Sequence, residues 1–289
     1  MNKLSTLRNF IREVYQVWVS ERPNQLAAAL AYFGVFSFAA VIYFAYRVAS
    51  IFINETAAAD RLYARIENRL GTELATFIQD SVAAIASTNT GGSWIISAVS
   101  LISLLFAAMG FFLQIKYALN RIWDIPPTPA GQKFAFLRQQ FFAFIALISL
   151  GLLVILATVV NLAFTWFGSV MQAYVGQGKL LPILNALALL GLVVLALAFT
   201  YKVLPDERLA WRDVWSGSIA AAILMALGGL VIGLYFSLGG VHSAFEAAGA
   251  FAVLMIMIYF FAQIFLFGAV ITRVYACKYG SKHMGSSAP

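Results

Sequence analysis

The side chains that could do chemistry in this chain are few, and most of them are amides. Gln25, Ser37, Gln114, Asn120, Asn161, Asn185 and Gln263 stand within or at the ends of long apolar runs. A neutral hydrogen-bonding group is costly there unless it pairs across helices or faces water. Arg47 adds a single cation near the end of the first run. Such a set can line a polar path for an anionic or amphipathic molecule, or it can join helices to one another. Catalysis has less to work with. The twelve acids include none in the middle of an apolar run, and no His-x-Glu arrangement exists for either His242 or His283. A nuclease needs metal-holding carboxylates or an acid/base pair at a polar site, and neither is present in the pattern. The segment GQGKL at 176–180 has Leu180 where a P-loop has Ser or Thr, and Ala173 where its first glycine would stand. The expectation is a protein that is not an enzyme, with no cofactor and no metal site.

The elements that must position these residues follow from composition. Of 289 residues 62% are hydrophobic and only 11% charged, far from the mix of a soluble domain. Lipid leaves exposed backbone groups without partners, so the runs are read as helices, each near the ~20 residues that cross a bilayer core. The expected fold is an all-α polytopic membrane protein with six transmembrane helices at about 26–53, 93–117, 140–168, 181–204, 214–238 and 248–273. Pro23 precedes the first and Pro182 falls in the first turn of the fourth, positions where proline suits a helix start.

Two amphipathic segments lie outside the spans. Residues 1–24 carry Leu4, Leu7, Ile11, Val14 and Trp18 at alternating spacings of three and four, with Lys3, Arg8 and Arg12 off the stripe. This predicts a cytoplasmic interfacial helix. No continuous apolar core of a signal peptide occurs there, so the first span is expected to direct insertion. Residues 54–92 predict a periplasmic helical hairpin, with Leu62, Ile66, Leu70, Leu74, Ile78 and Val82 every four residues beside a basic row of Arg61, Arg65 and Arg69. That row is a candidate surface for a partner or for lipid phosphates. In the fifth span, Gly217 with Ala221 and Gly229 with Gly233 stand one turn apart, a pattern for internal packing or a homodimer face.

Basic residues set the orientation. Lys3, Arg8, Arg12 and Arg22, then Lys116, Arg121, Lys133 and Arg138, then Lys202, Arg208 and Arg212, and finally Arg273, Lys278 and Lys282 fall on one side. Arg61, Arg65, Arg69 and Lys179 fall on the other. The bias predicts an inner-membrane protein with both termini, including the 274–289 tail, in the cytoplasm. The net charge of +7 is accounted for by this bias and by affinity for anionic headgroups, with no nucleic-acid partner.

Four stretches carry a family resemblance: AAALAYFGVFSFA at 27–39, LQIKYALNRIWDI at 113–125, YKVLPDERLAWRDVWSGSIAA at 201–221 and QIFLFGAVIT at 263–272. In order and register they resemble the YihY/BrkB family of bacterial inner-membrane proteins, once labelled ribonuclease BN. The resemblance implies a six-span fold and a role in envelope physiology, with transport of lipid or solute as its suggested form. The chain departs from the family pattern at Ala39–Ala40, where proline is common, and at Val270, where glutamate is common. The functional expectation is a transporter-like protein with a polar cavity that moves a lipid or other anionic, amphipathic molecule for envelope maintenance. The alternative is a scaffold that does not transport and binds an envelope protein partner.

Overall fold

A computed structural model describes residues 3–52, 110–126, 180–207, 209–237 and 246–281, together with isolated helical positions between 64 and 80 and between 156 and 164. Among the described residues the chain is helical, without strands. Helix α1 spans Lys3–Ser20 and α2 spans Pro23–Phe52. The helical residues 110–122 form α3. Helix α4 runs Leu180–Val203, α5 Trp211–Ser237 and α6 Glu246–Lys278. Segments Ile183–Val203, Trp211–Leu234 and Phe251–Lys278 are each long and apolar enough to cross a membrane. Helix α2 occupies the first expected span and α3 the end of the second. The expected third span at 140–168 and the 54–92 hairpin, with Arg61, Arg65, Arg69 and Asn161, lie outside the described residues apart from the isolated helical positions.

Residue pairings show the helix directions. Val35 and Leu254 share one apolar cluster, Gly34 meets Ile258 and Asn24 meets Gln263, so α2 and α6 are antiparallel. Gly110 lies against Phe33 and Arg121 against Glu21, which sets α3 antiparallel to α2. Gly217 faces Gly268 and Gly228 faces Phe260, which does the same for α5 and α6.

Small residues make the closest approach. A Cβ placed on Gly268 would sit 2.5 Å from the Tyr201 hydroxyl and 2.6 Å from the Ala221 Cβ. One placed on Gly217 would strike the Gly268 carbonyl and the Thr272 hydroxyl. Tyr201, 1% exposed, donates its hydroxyl to the Phe265 carbonyl at 2.7 Å and so closes α4 onto the same point. Lipid tails are as apolar as leucine, so helices in a membrane gain little from burying aliphatic surface and more from this kind of close packing. Among the described residues nothing lies within 4 Å of a Cβ placed on Gly229 or Gly233, and Leu230, Val231 and Leu234 beside them are exposed.

Hydroxyls inside the helices are satisfied locally. Ser37 donates to the Gly34 carbonyl at 3.1 Å, Thr200 to Ala196, Ser218 to Val214 and Thr272 to Gly268. Each borrows a carbonyl of its own helix, the usual solution where water is absent.

The packing separates two kinds of glycine. Gly268→Leu forces α4, α5 and α6 apart and costs about 3 kcal/mol or more, the upper range for an overpacked contact. Gly229→Leu leaves stability nearly unchanged. Heating each purified variant in detergent and following the folded peak by size-exclusion chromatography checks the contrast, which fails if both variants lose the same stability.

Candidate functional site

Most of the described charged side chains gather at one end of the bundle. Two turns begin the arrangement. Helix α3 ends with Asp124 in the left-handed region at φ 59°, the Asp124 N–H bonded to the Arg121 carbonyl and the Ile125 N–H bonded to the Asn120 carbonyl. This is a Schellman closure, and Pro126 follows it where a helix cannot continue. Arg22, at φ 47°, makes the sharp turn between α1 and α2, so that Pro23 starts α2 in the position that proline favours.

Around these turns a collar of ion pairs ties the helices together. The Arg273 guanidinium of α6 donates to Glu21 Oε1 at 3.0 Å and to the Ile122 carbonyl, and lies 3.5 Å from Asp124 Oδ2. Arg121 Nε stands 3.6 Å from the other Glu21 oxygen. The Glu21 side chain is only 10% exposed and that of Arg273 only 21%, whereas Arg121 is mostly in the open. The first pair therefore carries most of the energy. Lys116 of α3 pairs with Asp206 in the α4–α5 loop at 2.8 Å. Asn120 grips the same residue twice: its Nδ2 donates to Asp206 Oδ2 and its Oδ1 accepts the Asp206 N–H, each at 2.9 Å. Lys278 donates to Glu13 of α1 at 2.9 Å. Lys202 donates to the Leu209 carbonyl beneath the Trp211 ring. Asp213, 1% exposed, accepts the backbone N–H and the hydroxyl of Ser281.

Among the described residues, the amides singled out in the sequence stand at separate points; Asn161 lies outside them. Asn120 belongs to the collar. Gln263 Nε2 donates to Asn24 Oδ1 and to the Tyr259 hydroxyl, both at 2.8 Å, at the start of α2. Gln25 is exposed beside it, and Gln114 is half-buried in α3. Asn185, near the start of α4, has its side-chain oxygen buried, with no hydrogen-bond partner among the described residues. The backbone of Arg47 is helical within α2, and its side chain lies outside the described residues. Glu21, Asp206, Asp213 and Arg273 were not anticipated as a cluster. Asp206 and Asp213 lie in the 201–221 stretch, and their neighbours along the chain do not reveal partners drawn from other helices.

This arrangement belongs to a helical membrane protein whose spans are locked at one end by charge. The chain belongs to the BrkB family: residues 14–288 match the family described as "Virulence factor BrkB". Among curated proteins it is similar to a "UPF0761 membrane protein" of Verminephrobacter eiseniae, 34% identical over 177 residues, which are 58% of this chain and 39% of the relative. It is also similar to one of Delftia acidovorans, 30% identical over 178 residues, with the same coverage of each chain. The matched region thus spans about two fifths of the length of these relatives. No solved structure matches the chain.

The collar's two halves should respond differently to charge removal. Glu21→Gln removes the nearer and more buried of the two carboxylates beside Arg273, leaving the exposed Asp124 at 3.5 Å, and costs about 2 kcal/mol, below the range for fully buried pairs. Asp206→Asn, whose side chain is 38% exposed, costs about 1 kcal/mol or less and loses that effect in high salt. Arg273→Lys keeps the charge but is still destabilising, because an ammonium cannot span the three acceptors that the guanidinium reaches. Denaturant or thermal titration of the three variants at low and high salt reads all three outcomes.

Proposed function

We propose that this protein is an inner-membrane transporter that moves a lipid or other anionic, amphipathic molecule, with the collar at the cytoplasmic face. The observation that carries the reading is Asn185. Its side-chain carbonyl oxygen is buried at the start of an apolar span and, among the described residues, has no hydrogen-bond partner. A buried acceptor without a partner costs about 1–3 kcal/mol, which a hydrogen bond from a bound molecule would offset. A headgroup hydroxyl or ammonium passing the helix would satisfy it. The exposed Gln25, together with the Asn24–Gln263–Tyr259 chain, offers further neutral hydrogen bonds nearer the collar. Neutral amides suit a path that must release what it binds, since each contact with a headgroup is worth only about 1 kcal/mol. The cation bias at the collar supports the cytoplasmic placement.

The reading is tested by transbilayer movement of labelled phosphatidylglycerol in proteoliposomes at equal, verified folded incorporation. The intact protein is expected to move lipid faster than empty liposomes. Asn185→Leu should lower that rate several-fold while raising stability by about 1 kcal/mol, because the orphaned acceptor is gone. Arg47→Ala should lower the rate without the stability gain. Movement no faster than in empty liposomes, with an envelope protein retained on the purified chain, would sink transport and leave the scaffold.

A further inference from the structure

Helix α1 has two apolar faces: one packs against the described core and the other is exposed. Val14 is buried, and Phe10, Val17 and Trp18 pack against the same core. The Trp18 ring meets Phe267 of α6 edge-on at 5.4 Å, and Phe10 meets Tyr279. These contacts split the stripe expected from the sequence: Val14 and Trp18 turn toward α6, while Ile11 does not. Ile11, Tyr15 and Val19 form a second row at four-residue spacing, 59%, 66% and 56% exposed.

The charges beside this row are of one sign. Arg8 and Arg12 are exposed and stand three residues before Ile11 and Tyr15, so each lies next to an apolar member of the row. The two acids of this region are turned away: Glu13 pairs with Lys278, and Glu21 is held by Arg273. Asn9, Gln16 and Ser20 complete the exposed arc with uncharged groups.

Position along the bundle decides what this face meets. Val19 is four residues from the start of α2, and its neighbour Trp18 touches Phe267 inside the candidate span Phe251–Lys278. The row is therefore tethered where spanning helices enter the bilayer, and a row of apolar side chains bordered by arginines matches an anionic membrane surface in both polarity and charge.

We infer that the outer face of α1 is a lipid-binding surface: Ile11, Tyr15 and Val19 enter the acyl–headgroup boundary, and Arg8 and Arg12 hold anionic lipid phosphates. This surface is independent of the transport reading and stands or falls without it. It binds the protein's own leaflet rather than a substrate in transit.

The test uses the full chain in vesicles of phosphatidylcholine alone or mixed with phosphatidylglycerol. In a Cys277→Ser background, an environment-sensitive fluorophore is attached at Ile11→Cys or at Gln16→Cys. In the anionic vesicles the label at 11 should be blue-shifted and shielded several-fold from an aqueous quencher, with quenching by lipid-borne nitroxide, while the label at 16 stays in water. Arg8→Gln with Arg12→Gln should cut the ratio of shielded to water-exposed label about 30-fold, taking roughly 1 kcal/mol per arginine at an anionic surface. Native mass spectrometry of the same double variant, with Cys277 intact, should show fewer retained phosphatidylglycerol molecules. Equal water exposure at 11 and 16 in both vesicle types overturns the inference. So does shielding without nitroxide quenching, accompanied by crosslinking between two labelled chains, which would assign the face to a second copy.

Discussion

Three helices meet at Gly268. Its missing side chain makes room at once for the Tyr201 hydroxyl, the Ala221 methyl and the backbone of Gly217, so α4, α5 and α6 approach one another at backbone distance. The contact also sets the reach of the residues that follow. Thr272, one turn on, closes its hydroxyl on the Gly268 carbonyl, and Arg273 is thereby aimed across the end of the bundle at α1 and α3. A bulkier residue at 268 would displace the helix that carries the collar's central cation. Apolar packing in the middle and charge at the end are two consequences of one close contact.

The collar solves a problem that helix ends create. The last carbonyls of a helix lack partners within it, and the end bears partial negative charge. Helix α3 uses Schellman bonds for Asn120 and Arg121, and the Ile122 carbonyl receives Arg273. The same guanidinium neutralises Glu21, so one side chain serves a helix terminus and a carboxylate together. Asp213 works in mirror image. It stands in the first turn of α5, where negative charge is favoured, and receives the N–H and hydroxyl of Ser281 just beyond α6.

Much of this was legible in the residues. Runs at 181–204 and 214–238 correspond to helices at Leu180–Val203 and Trp211–Ser237, because unbroken apolar sequence bounded by proline or charge leaves few other readings. The last helix continues past the expected 273 to Lys278, since TRVYACK keeps apolar residues facing the core between its cations. Gly217 and Ala221 could be seen to favour close packing, but not that Gly268 would be the partner. Collar pairs were beyond reach for the same reason: Glu21 and Arg273 lie 252 positions apart, and Asn120 and Asp206 lie 86 apart. Only the fold brings them together. The acids looked scattered because their partners are on other helices.

Sequence distance also has a meaning in time. The ribosome makes Glu21, Arg121 and Asp124 first, and then about 150 further residues before Arg273, an interval of roughly 7 to 30 seconds at ordinary rates of synthesis. Through that interval the early carboxylates lack this cation and the end of α3 lacks its donor. The join is completed only when α6 arrives, so closure of the collar marks the moment at which the nascent chain becomes a finished bundle. A chain stalled before that point differs from a complete one in electrostatics as well as in length.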